Sequence, residues 1–157
     1  MIRCIVAMDD ERGIANADGI PWNLPTDVAY FREKTLGASV VMGYKTYIEF
    51  ASPLKDRANI VVVREGTDLR KGFVGINNVE KFLDDSDEDV WVIGGAALFA
   101  KVFLSADELY ITHIDRNFSC TRFFPDFKDA FELKAQGELK HENDIDFRFA
   151  IYKRKII

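Results

Sequence analysis

The stretch GIPWNLPTDVAYF, residues 19 to 31, sets one carboxylate, Asp27, among bulky apolar side chains. Trp22, Leu24, Val28 and Phe31 would surround it with apolar surface, and such burial raises a carboxyl pKa by up to about 3 to 5 units. A helix N-terminus, which Asp27 would sense two residues after Pro25, stabilises the anion by only about 0.3 to 1 kcal/mol, less than one unit. Burial therefore wins unless a cationic ligand is present. A carboxyl in such a pocket suits a flat amidine-like or aminopyrimidine edge, whose two parallel N–H donors match its two oxygens. The plainer alternative is a first-turn carboxylate that serves the helix alone.

Other stretches are suited to anions. VWVIGGAALF runs a buried strand through Gly94 and Gly95 into a helix, and VVMGYKTY does so through Gly43, with Lys45 and Thr46 following. Glycine at such a junction lets a ligand approach the helix N-terminus, where free N–H groups favour phosphate. Neither is G-x-G-x-x-G, so the Rossmann fingerprint is absent, and each can also be read as a tight turn or a helix start with a solvated lysine. Arg57, in PLKDRANIVVV, immediately precedes a strand; there its guanidinium can grip a carboxylate bidentately or simply face water. His113 and His141 are isolated, and neither CxxC nor a Cys/His spacing occurs, so no metal site is assigned.

These residues need elements to hold them. β-branched runs mark strands at Ile2 to Met8, Ser39 to Met42, Asn59 to Val63, Phe73 to Ile76, Val90 to Ile93 and Leu109 to Thr112. Several are apolar throughout, as strands covered on both faces are. Between them lie four helical segments. The first starts at Pro25, the second covers residues 44 to 51, and Asn78 caps a third with Val79, Phe82 and Leu83 inward. Leu98, Phe99, Val102 and Phe103 line the fourth. The expected fold is α/β: one domain over residues 1 to 157, with a mostly parallel central sheet, about four flanking helices and a C-terminal antiparallel hairpin. FELKAQGEL and DFRFAIYKRK form that hairpin around the polar turn KHENDI, and DDSDED at 84 to 89 reads as a solvated loop.

A net charge of −5 argues against nucleic-acid or anionic-membrane partners, which need a positive field. No signal-like N-terminus is seen, and the longest apolar run is too short for a bilayer. Two cysteines, Cys4 within an apolar run, fit inert thiols in a reducing compartment, so a cytoplasmic location is expected.

Taken together, GIPWNLPTDVAYF, VVMGYKT, PLKDRANIVV, VWVIGGAALF, LYITHID, FFPD and the terminal hairpin closely resemble the dihydrofolate reductase family across nearly the whole chain. The resemblance implies reduction of 7,8-dihydrofolate to tetrahydrofolate, with NADPH giving hydride to C6 and a proton reaching N5. It implies catalytic roles for Asp27, Thr112 and Trp22: Asp27 holds the pterin's amino and N3 edge, Thr112 hydrogen-bonds that carboxylate, and Trp22 helps hold a nearby water. Ile5, Ala7, Val28, Phe31, Phe50, Leu54 and Ile93 would wall the substrate site, with Arg57 on the glutamate tail's α-carboxylate. Ala7, Ile14, Ile20 and Ile93 would face the nicotinamide. Gly43, Tyr44, Lys45 and Thr46, with Gly94, Gly95, Ala96, Ala97, Leu98 and Phe99, would line the pyrophosphate side, and Arg64 the adenosine end. Residues 9 to 24 would form a loop closing over the nicotinamide.

Relatives of that family often carry arginine where this chain has Tyr44 or Ala97, and serine or threonine at Val63. Lys45 and Arg64 remain as 2′-phosphate partners, so NADPH is expected with some tolerance of NADH. Ala15 and Thr121-Arg122 also depart from the family pattern, which implies a lost hydrogen bond between two loops. The resemblance further implies a monomer that binds antifolate inhibitors. Two other readings stand beside it: a pyrimidine reductase of riboflavin synthesis, which lacks PWNLP-x-D, and a catalytically silent pterin or nucleotide binder.

Overall fold

Residues 1 to 156 are described by a computed structural model. The strands are β1 (Ile2–Met8), β2 (Gly13–Ala15), β3 (Ser39–Gly43), β4 (Ala58–Val62), β5 (Phe73–Ile76), β6 (Val90–Gly94), β7 (Glu108–Ile114), β8 (Arg122–Phe123), β9 (Phe131–Gln136), β10 (Lys140–Glu142) and β11 (Ile145–Arg154). The helices are α1 (Pro25–Thr35), α2 (Tyr44–Glu49), α3 (Val79–Asp85) and α4 (Ala96–Val102), the last continuing into a 3₁₀ turn, Phe103–Ser105. The main sheet runs β10-β11-β7-β1-β6-β3-β4-β5, with β9 pairing beside β11. β7, β1, β6, β3, β4 and β5 pair in parallel, and the pairs made by β11 are antiparallel.

Successive strand residues point to opposite faces, and here both faces are covered. Cys4, Val41 and Val92 join Leu98, Phe99 and Phe124 in one core. Their neighbours Ile5, Val40, Met42 and Trp91 join Tyr47 and Phe73 in the other. That is why these strands read as unbroken apolar runs. A smaller cluster of Leu24, Ile114, Ile145 and Phe147, with Trp22 and Ala7 packed on it, docks the chain leading into α1. Both thiols are free and buried.

Three expectations need correction. The terminal hairpin turns at Asn143 and Asp144, both at positive φ (51° and 62°), because KHENDI itself supplies strand β10. β9 and β10 then lie end to end along one side of β11. The second helix stops at Glu49, and Phe50 is extended, with φ −85° and ψ 122°. Third, the two loops carrying Ala15 and Thr121-Arg122 remain joined: the Thr121 N–H donates to Ala15 O at 3.1 Å, alongside a short β2–β8 pairing that no sequence pattern announced.

The joint is built on Asp9, 2% exposed. Its Oδ1 accepts from Gly13 N at 2.7 Å and Glu11 N at 3.0 Å, and its Oδ2 from Phe118 N at 3.1 Å. A Cβ at Gly13 would fall 2.5 Å from Cys120 Cβ and 2.8 Å from both Asp9 oxygens. Gly13→Ala is therefore expected to cost about 1 to 3 kcal/mol through overpacking, read as a lower urea midpoint with an unchanged slope.

Candidate active site

Asp27 sits in the first turn of α1, and Thr112 on β7. The Thr112 hydroxyl donates to Asp27 Oδ1 at 2.6 Å. Burial is the largest influence on the Asp27 carboxyl and pushes its pKa up; the Thr112 bond opposes this, and the Glu142 carboxylate adds to it, leaving the group above its ordinary range. Thr112 occupies one oxygen and fixes the plane of the carboxyl, which leaves Oδ2 and spare lone pairs for a ring edge.

The strand register brings the other expected residues alongside. Ala7 lies beside Thr112, and Ile5 beside Tyr110; β6 flanks β1 on its other side and carries Ile93 near its end. This is the carboxyl edge of the parallel strands, where ligands of open α/β sheets bind. Phe31, Phe50, Leu54 and Ile93 are partly buried against the cluster that contains Ile5. Val28 differs from the expected wall: at 48% exposed it stands on the rim. Trp22 packs edge-on against Phe118, with ring centroids 5.3 Å apart.

Arg57 is held from three directions. Nε donates to Thr35 Oγ1 at 2.9 Å, Nη1 to Lys55 O, and Nη2 to Arg32 O. A guanidinium has five N–H groups, so one remains on each terminal nitrogen, the pair that a carboxylate accepts bidentately. The supports were not foreseen. Thr35, fully buried, also donates to Phe31 O, and Asn59 clamps the turn through Leu54 and Arg57. A threonine in a last helical turn and an asparagine in a strand give little sign of that task.

On the opposite flank the two glycine junctions meet. A Cβ at Gly43 would lie 3.7 Å from Gly94 O and 3.8 Å from Gly95 N, and Thr46 Oγ1 is 3.7 Å from the Cβ positions of both Gly94 and Gly95. Gly94 has φ +121°, a conformation side chains rarely adopt, and its peptide to Gly95 is cis. Neither α2 nor α4 has a side-chain cap at its N-terminus, so backbone N–H groups are available for an anion. A groove of about 670 Å³ at the ends of β4 and β5 is lined by residues including Val63, Arg64, Thr67, Ile76, Asn78 and Lys81. Tyr44 is half exposed against Tyr47, ring centroids 5.5 Å apart. Leu98 and Phe99 turn into the core, because the inner stripe of α4 covers the sheet. Ile14 is likewise in the core, while Ile20 is 62% exposed on its loop. Ala96 is partly buried and Ala97 exposed. Lys45 is exposed on the first turn of α2.

His113 faces Tyr152, Nε2 to the hydroxyl at 2.8 Å, away from this cleft. Among the described residues no His/Cys/Asp/Glu group is arranged to hold a metal ion, and no helix is long and apolar enough to cross a membrane.

A carboxyl held by Thr112 at the carboxyl edge of the parallel strands, an arginine fixed by Thr35 and two backbone carbonyls, and two meeting glycine junctions define an α/β protein equipped for a flat polar ligand and an anionic one. The comparisons are specific. The dihydrofolate reductase family model matches residues 1–154. The chain is similar to the dihydrofolate reductase of Bacillus subtilis, 37% identical over 160 residues that span 99% of this chain and 95% of that one. It is also similar to that of Haemophilus influenzae, at 36% identity, covering 96% and 97%. A solved structure, dihydrofolate reductase from Enterococcus faecalis complexed with NADP(H) and RAB-propyl, superimposes with a TM-score of 0.89 at 28% identity, covering 99% of this chain and 97% of that one. The chain belongs to the dihydrofolate reductase family, and it is an oxidoreductase that reduces dihydrofolate. The riboflavin-pathway and silent-binder readings are not favoured.

Proposed function

We propose that the cleft between α1 and the Phe50 to Arg57 segment holds the pterin and aminobenzoyl parts of 7,8-dihydrofolate, with NADPH along the glycine junctions. The observation that carries this is the Asp27 carboxyl, largely buried and fixed by Thr112 at 2.6 Å at the edge of the parallel strands. The residues fit the cofactor: Gly43, Gly94 and Gly95 leave open the space that side chains would fill, and the uncapped starts of α2 and α4 would hold its phosphates. When bound, the reduced nicotinamide supplies the hydride that C6 receives, and N5 gains a proton, so one C=N bond is reduced.

The chain supplies alignment and the proton's environment. Asp27 accepts N–H bonds from the 2-amino and N3 edge and so promotes protonation at N5, which water can deliver. Thr112 holds the carboxyl in plane, Trp22 bounds the site, and Ile5, Ala7, Phe31 and Ile93 exclude bulk water from the rings. Arg57 takes the α-carboxylate of the tail. Lys45 and Arg64 are the cations left for the 2′-phosphate, and Tyr44 offers an adenine-stacking face. The protein works as a cytoplasmic monomer of one domain and binds antifolates that mimic the diaminopyrimidine edge.

The test is loss of reduced-nicotinamide absorbance with dihydrofolate, NADPH and NADH run in parallel. Turnover is expected with NADPH and, more weakly, with NADH; no turnover with either would overturn the proposal.

A further inference from the structure

The start of α1 has an unusual support. Its N-cap position is Leu24, whose side chain cannot accept a hydrogen bond, and no local residue caps the helix. The task falls to Glu142, on β10 and 116 residues further along the chain. Glu142 Oε1 accepts from Thr26 N at 3.0 Å, and Oε2 from the Thr26 hydroxyl at 2.6 Å. One residue on, Asn143 Nδ2 donates to Asn23 O at 2.8 Å. The turn of the terminal hairpin thus grips both the approach to α1 and its first turn, immediately before Asp27.

We propose that Glu142 is a positioning residue for the reductase reaction, which fixes the first turn of α1 and sets a second carboxylate in the field of the Asp27 carboxyl. This rests on the role given to Asp27 above. The two bonds from Thr26 hold the Glu142 carboxyl below its usual range, and the helix N-terminus favours its anion. The groups facing Asp27 are Thr112 from β7, Tyr30 from α1 and Glu142 from β10. Thr112 stabilises the Asp27 anion through its hydroxyl. The Tyr30 phenol, pushed up to about 12 mainly by burial, is neutral throughout. Glu142 is therefore the charged member of the set, and it disfavours the Asp27 anion. Cap and charge are separable, since an amide oxygen can accept from Thr26 N while its NH₂ donates to the Thr26 hydroxyl.

The test compares the pH profile of hydride transfer in single turnover, with NADPH and dihydrofolate, for the native chain, Glu142→Gln, Glu142→Ala and Asp27→Asn. Removing the charge makes ionisation of Asp27 easier. The Glu142→Gln midpoint should therefore fall by about 0.2 to 0.5 pH unit at low ionic strength, as expected of a partly exposed charge. That corresponds to roughly a two- to threefold loss on the alkaline limb. In 1 M salt, where the screening length is about 3 Å, the two profiles should converge. Glu142→Ala should show the same shift together with a raised KM for dihydrofolate, because α1 loses its clamp. A Glu142→Gln midpoint equal to the native one at low salt would overturn the inference. A native profile retained in Asp27→Asn would instead overturn the reading of Asp27 on which it rests.

Discussion

Replacing Asp27 with asparagine is expected to lower hydride transfer at neutral pH by about 10² to 10⁴-fold, the usual worth of a positioned acid–base group. The loss should shrink as the pH falls, because solvent can then protonate N5 directly. Asparagine keeps a single acceptor oxygen, shared between Thr112 and the ring edge, and its NH₂ meets the ring's donors, so substrate affinity should also fall, though less than the rate. Stability should move the other way. A carboxyl whose pKa is raised in the folded state contributes stability that is fully present below its unfolded value of about 3.9 and lost as the pH rises through the folded value. Above the folded value that contribution is gone, so there the ligand-free Asp27→Asn protein should melt at a higher temperature than the native one. The gap should close towards acid pH. A variant with full activity at pH 7 would remove Asp27 from the mechanism, and one that melts lower would contradict the burial argument.

Arg57→Lys is expected to raise the KM for dihydrofolate about 30- to 150-fold with kcat retained, the equivalent of losing about 2 to 3 kcal/mol of charge-assisted hydrogen bonding. Lysine keeps the charge but not the planar fork, and it cannot reach Thr35, Lys55 O and Arg32 O together as Arg57 does. A pterin substrate lacking the glutamate tail has no carboxylate to lose, so the native and substituted proteins should handle it alike. A drop in kcat with unchanged KM would instead place Arg57 in the chemical step.

Much of this architecture could be read from local pattern. Apolar runs of four to seven residues gave the parallel strands because both faces of the sheet are covered. Pro25 marked the start of α1, and Asn78 marked that of α3, where its side chain does accept from Lys81 N at 3.1 Å. The acid in GIPWNLPTDVAYF stood out because its neighbours are apolar. Its partner Thr112 came from family resemblance, since no spacing rule joins residues 85 apart. What escaped was mostly long-range. Glu142 caps a helix from the opposite end of the chain, Asn59 grips the backbone of Leu54 and Arg57, the Thr35 hydroxyl takes the Arg57 Nε bond, and β2 pairs with the two-residue strand β8, too short to leave a periodic signature. The interior placement of Leu98 and Phe99 was visible in the helical stripe, yet the resemblance also assigned them to the cofactor; the structure places their side chains in the core.

The joint at Asp9 has a consequence for how this loop can vary. Its carboxylate is satisfied by main-chain N–H groups of residues 11, 13 and 118, which every amino acid except proline possesses. The path of the loop is thus encoded in one side chain and one missing side chain, Asp9 and Gly13, while Asp10 and Glu11 are exposed passengers. Substitutions at 10 and 11 can retune the charge of the loop without redrawing its course. For an engineer, those two positions form a dial and the flanking two a lock.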